Sequence, residues 1–127
     1  MTDVKVLLID DEARYTDALA RRLGRRGLSV ATADGGAQAL EALSENPVDV
    51  ALLDMKMAGM DGIKTLSAIK RQHPEVEVVM LTAHADTDIV ISSLAMGAFD
   101  YLLKPADLEE LVRKIEDAAM RKRSNSK

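Results

Sequence analysis

Short apolar runs that finish in a polar group set the frame of this 127-residue chain. Val4-Lys5-Val6-Leu7-Leu8-Ile9 runs into Asp10 and Asp11, and Val48-Asp49-Val50-Ala51-Leu52-Leu53 into Asp54. Val76-Glu77-Val78-Val79-Met80-Leu81 ends in Thr82, and Phe99-Asp100-Tyr101-Leu102-Leu103 in Lys104-Pro105. Runs that stay apolar through odd and even positions alike leave neither strand face fit for water. They alternate with helical patterns, which predicts a parallel sheet covered on both sides with right-handed crossovers. In an open parallel sheet the downstream strand ends share one edge, and ligands bind at that edge. Three acids, a hydroxyl and an ammonium gathered there suit a divalent cation and a phosphoryl group.

The intervening helices follow from period and punctuation. After Asp11, the residues Tyr15, Ala18, Leu19 and Leu23 share a stripe, and the Gly24 to Gly27 stretch is expected to end that helix with a left-handed cap. Leu28 to Ala33 alternates like a short strand. Asp34-Gly35-Gly36 opens a second helix with Ala39, Leu40 and Leu43 inward, and Asn46-Pro47 ends it. Ile63, Leu66 and Ile69 mark a third, which ends near His73 before Pro74. Residues 86–96 make a fourth, closed by Gly97. Leu108, Leu111, Val112, Ile115 and Ala119 define the fifth, and Asp107 with Glu110 has the spacing of a capping box. Ile89, Val90, Ile91 and Leu94 exceed one core stripe, so one of them is expected to remain exposed on a partner-facing surface. Met80 is expected in the core, and Met55, Met57 and Met60 as packing around the loop after Asp54.

The length suits one domain with a real core, placed at residues 1–121, with 122–127 as a basic, polar tail or the start of a linker. The formal net charge of −4 argues against a nucleic-acid surface. The only basic cluster is read as Arg121-Lys122-Arg123 with Lys127, a solvated, frayed end. Cysteine is absent, which fits a reducing compartment. The apolar runs fall far short of the roughly 20 residues needed to cross a bilayer, and no basic segment precedes the first strand. No membrane association and a cytoplasmic location are therefore expected.

Adjacent Asp10 and Asp11 must point their side chains apart. One can touch a metal while the other holds a water on it, and Asp54 adds a third oxygen. Few hard oxygens with room for water suit Mg²⁺ better than Ca²⁺. With no cysteine and both histidines elsewhere in sequence, a structural zinc site is excluded. An Asp pair by itself reads first as a helix N-terminal cap. Its occurrence together with Asp54, Thr82 and Lys104 at strand ends favours the site.

Ile9-Asp-Asp-Glu12, Leu53-Asp-Met-Lys-Met-Ala-Gly-Met-Asp-Gly62, Leu81-Thr-Ala-His-Ala85 and Tyr101-Leu-Leu-Lys-Pro105 resemble, in order, the motifs of the receiver domain of two-component response regulators. The resemblance covers essentially the whole chain. It implies a flavodoxin-like doubly wound (βα)5 fold with parallel sheet order 2-1-3-4-5, two helices on one face and three on the other. It implies that Asp54 is the phosphoacceptor for a sensor histidine kinase or phosphotransfer protein. Asp10 and Asp11 resemble the acidic pair, with Asp11, Asp54 and the backbone carbonyl of Lys56 as direct Mg²⁺ ligands. Thr82 resembles the hydroxyl that moves onto the phosphoryl group, and Lys104 the lysine that neutralises it. Pro105 is expected to follow a cis bond, and Tyr101 resembles the aromatic switch that turns inward as Thr82 moves. The implied output is a change in the surface of the fourth helix, fifth strand and fifth helix, which some receivers use for homodimers. Such a domain assists its own phosphorylation and dephosphorylation but is not a turnover enzyme.

This chain departs from that pattern at Ala58, where the family usually has proline, which predicts a looser loop. Lys56 and His84 occupy variable positions that in the family tune phosphoaspartate lifetime. A phosphatase of haloacid dehalogenase type would also use an aspartyl nucleophile. It wants a second Asp two residues further on, where this chain has Lys56. A flavodoxin would need a neutral phosphate loop where Asp10-Asp11-Glu12 stands.

Overall fold

A computed structural model describes residues 3–54, 62–83 and 87–125. The chain alternates β1 (Lys5–Ile9), α1 (Ala13–Arg25), β2 (Ser29–Ala33), α2 (Gly36–Glu45), β3 (Val50–Asp54), α3 (Gly62–Gln72), β4 (Glu77–Thr82), α4 (Thr87–Ala95), β5 (Asp100–Leu103) and α5 (Leu108–Asn125). The five strands pair in parallel in the order β2-β1-β3-β4-β5. This is the flavodoxin-like arrangement implied by the resemblance, with β1 and β3 adjacent at the point where the strand order reverses.

Alternate residues of each strand serve opposite layers, as the strand period of two demands. Val6 and Leu8 of β1, Val50 and Leu52 of β3, and Val79 and Leu81 of β4 meet Leu19 and Leu23 of α1 and Leu111, Ile115 and Ala118 of α5. Leu7, Ile9, Ala51, Leu53, Val78 and Met80 face the other way, against Ala39 and Leu43 of α2 and Leu66 and Ile69 of α3. Leu8, Ile9, Leu52 and Leu53 are fully buried, so β1 and β3 hold their ends rigidly. Removing one such side chain, as in Leu52→Ala, belongs to a class that costs about 2–5 kcal/mol.

Several local expectations hold. The Glu110 amide donates to Asp107 Oδ2 at 3.0 Å, the cap of α5. Gly97 has φ 107°, a left-handed value that closes α4 and that a side chain would strain. The His73 amide donates to the Ile69 carbonyl at the end of α3. Helix α1 ends at Arg25, within the expected Gly24 to Gly27 stretch, and Gly27 takes the left-handed φ of 88°. Other expectations change. Three α4 residues are exposed rather than one: Ile89, Ile91 and Leu94. Basic residues also cluster on α1, where Arg21, Arg22, Arg25 and adjacent Arg26 are exposed. Met55, Lys56, Met57, Ala58, Met60 and His84 lie outside the described residues.

Of the basic residues expected at a solvated end, Arg121, Lys122 and Arg123 belong to α5 and dock on the upstream edge of the sheet, while Lys127 lies outside the described residues. Asp49 is buried and accepts hydrogen bonds from the Lys5 amide at 2.9 Å and from Arg123 Nη2 at 3.2 Å, with Lys122 Nζ at 3.4 Å. Arg123 also donates to the Asp3 carbonyl. Buried Glu77 lies 3.9 Å from Lys70 Nζ and 3.6 Å from Arg121 Nε, and the Arg121 guanidinium sits over the Phe99 ring. A helix period reads side chains along one element, whereas these partners lie up to 120 residues away along the chain.

Burial alone would raise the Asp49 carboxyl, but the Lys5 amide and the Arg123 and Lys122 cations outweigh it and hold it below the ordinary value of 3.8. A carboxyl depressed in the folded state stabilises above its unfolded pKa and loses that contribution as pH falls through the folded one. Asp49→Asn is therefore expected to destabilise the domain at neutral pH by roughly 1–3 kcal/mol, the scale of losing a charged buried acceptor. Urea denaturation from pH 7 down to pH 3 should show the gap between variant and wild type closing on the acid side.

Candidate functional site

The downstream sheet edge is assembled by the strands themselves. Ile9 pairs with Ala33 on one side and Leu53 on the other, so Asp10 and Asp54 leave adjacent strands at the same level. Asp54 is the last residue of β3 and pairs with Leu81, which puts Thr82 one residue beyond it on β4. Thr82 pairs with Leu103, and the Lys104 amide donates to the Thr82 carbonyl at 2.7 Å. The Asp10 amide likewise donates to the Ala33 carbonyl at 3.1 Å. Backbone bonds thus fix the level at which each functional side chain departs.

Asp10, Asp11 and Asp54 each bring a carboxylate oxygen within 4.8 Å of the others. Asp10 and Asp54 are buried, whereas Asp11 is exposed. Asp10 uses both oxygens: Oδ1 accepts the Glu12 amide at 3.0 Å, and Oδ2 accepts Lys104 Nζ at 3.1 Å. Lys104 Nζ also stands 3.3 Å from Asp54 Oδ1. Thr82 is buried at the same edge. The five residues picked from the strand ends are brought together, and the Lys104–Pro105 peptide is cis as expected. Tyr101 pairs with Met80 in the sheet and lies at the surface. Lys56 and His84 fall outside the described residues.

The electrostatics follow from crowding. Burial by itself would lower the Lys104 pKa, but the charges of Asp54 and Asp10, with their hydrogen bonds, raise it above the ordinary value. The group stays an ammonium. Tyr15 was read from sequence as part of the buried α1 stripe. In the structure it packs at the core margin, and Lys104 Nζ lies 4.5 Å from its ring centroid. Burial raises its phenol pKa, Lys104 opposes that, and the nearby carboxylates add to it. Only its place in the first turn after Asp11 hinted at this position.

The donors present fit a hard divalent cation. They are few, all oxygen, and one is open to water, which leaves room for a partly hydrated ion such as Mg²⁺. A ring of carboxylates beside a lysine, on a shallow open edge, can also receive an anion once its charge is neutralised.

Comparison with known proteins agrees with this geometry. The profile of the response regulator receiver domain matches residues 6–116. The chain is 43% identical over 113 residues to the DNA-binding transcriptional regulator NtrC of Escherichia coli strain K12, covering 89% of this chain and 24% of that protein. It is 38% identical over 116 residues to the transcriptional regulatory protein ZraR of the same strain, covering 91% of this chain and 26% of ZraR. The chain thus spans about a quarter of the length of these curated relatives. Among solved structures, a response regulator receiver domain protein from Clostridium thermocellum superposes with a TM-score of 0.89 at 36% identity, covering 94% of this chain and 97% of that one. NtrX from Brucella abortus, crystallised with ADP, gives 0.91 at 30% identity over 98% of this chain and 29% of its own. Strand order, strand-end chemistry and these matches agree, and the chain belongs to the response regulator receiver domain family.

Proposed function

We propose that this domain is a phosphorylation switch: Asp54 accepts a phosphoryl group from a sensor histidine kinase or a phosphotransfer protein. The observation that carries this reading is the placement of buried Asp54 within 4.8 Å of Asp10 and Asp11 and 3.3 Å from the Lys104 ammonium. An Asp54 oxygen attacks phosphorus, the bond to the donor breaks, and the donor leaves with the electron pair of that bond. Phosphoryl transfer asks mainly for positioning and charge neutralisation. Asp10, Asp11 and Asp54, with the Lys56 carbonyl, would hold Mg²⁺, which supplies positive charge to the transferring oxygens. Lys104 neutralises a further oxygen, and the Thr82 hydroxyl donates to another.

The output follows from the movement of Thr82. Helix α4 and strand β5 carry the exposed apolar residues Ile89, Ile91, Leu94, Tyr101 and Leu103. We assign the switched surface to α4-β5-α5, with Tyr101 turning inward, and dimerisation or effector docking as its use. Among the described residues no helix is long and apolar enough to cross a membrane. The DNA-binding role in the NtrC name belongs to that protein.

With acetyl phosphate and Mg²⁺, wild type should take up one phosphoryl per chain and release it slowly, and Asp54→Asn should take up none at this site. Intact-mass spectrometry reads both, and continuous turnover of an unrelated phosphomonoester would instead favour a phosphatase. Mg²⁺ alone should raise the melting temperature of wild type, because a ligand at a hundred times its Kd adds about 2.7 kcal/mol. Asp11→Asn should lose most of that shift in a thermal melt. Lys56→Ala should change the half-life of phospho-Asp54 in a decay assay, and equal half-lives would remove the lifetime role of Lys56.

A further inference from the structure

We propose that Tyr15 is a positioning residue for Lys104, holding the ammonium against its ring face beside the phosphoacceptor. This inference rests on the phosphoacceptor reading of Asp54. Lys104 Nζ is enclosed from several directions, by Asp10 Oδ2 at 3.1 Å, Asp54 Oδ1 at 3.3 Å and the Tyr15 ring at 4.5 Å from its centroid. The lysine side chain is only 17% exposed. The ring is itself fixed, because it packs against the core shared by α1 and α5.

The three contacts differ in what they do when a phosphoryl group arrives. Lysine is a point charge on a flexible stem, and carboxylates hold the charge without fixing the stem. Asp54 becomes esterified, so its hold on Nζ changes, and Asp10 competes with the phosphoryl oxygens for the same ammonium. The Tyr15 ring attracts a cation through its quadrupole but carries no net charge. It can support Lys104 before and after transfer without drawing it away from the phosphoryl group. It also presents an apolar surface that limits water on that side of Nζ. The role needs the ring face and not the phenol hydroxyl.

The test measures initial rates of Asp54 phosphorylation by acetyl phosphate in Mg²⁺, over a range of donor concentrations, for the full chain. Tyr15→Leu should lower the maximal rate roughly two- to fivefold, the range expected for a partly exposed cation–π contact, with little change in half-saturating donor. Tyr15→Phe should rescue the rate. In a Lys104→Gln background, Tyr15→Leu should have no further effect, which a general packing defect would not reproduce. Leu performing as well as Phe, Phe performing as poorly as Leu, or a Leu defect that persists undiminished without Lys104 would each overturn the inference alone. A wild-type chain that takes no phosphoryl on Asp54 would overturn the phosphoacceptor reading, and this one with it.

Discussion

Lys104 stands between Asp10 and Asp54, and the downstream edge of the sheet depends on that contact. Two unit charges at the separation found among these carboxylates repel by roughly 3–4 kcal/mol at an effective dielectric of about 20. That is a sizeable share of the net stability of about 5–15 kcal/mol typical of a domain. The acids are held together because β1 and β3 are neighbours whose buried side chains leave their ends no other course. One ammonium offsets part of the repulsion, and a bound divalent cation would offset more.

The opposite edge of the same sheet is arranged differently. Asp49, just before β3, and Glu77, the first residue of β4, are also buried carboxylates, and each is matched by cations from helices: Arg123 and Lys122 for one, Lys70 and Arg121 for the other. There the charges are paired without a metal, and they tie the last turns of α5 to the sheet.

Much of this was legible in the chain. Apolar residues at both odd and even positions required a sheet covered on two sides, and the polar residues that end those runs had to emerge together. Asp10, Asp54, Thr82 and Lys104 were found this way, and the capping role of Asp107 followed from its spacing to Glu110. Other features were hidden because they depend on a neighbour far along the chain. Tyr15 reads as an ordinary stripe residue until β5 delivers Lys104 to its ring. Arg121, Lys122 and Arg123 read as a solvated end until the start of the sheet presents Asp49 and Glu77.

Local pattern determined the alternation of strands and helices, the parallel sheet and the identity of the strand-end groups, because side-chain period and backbone direction are properties of short segments. Tertiary structure decided which charges meet: Lys104 with Asp10, Asp54 and the Tyr15 ring, and the end of α5 with Asp49. Charge pairing acts over a few ångströms in space and is indifferent to separation along the chain, so no window of sequence contains it.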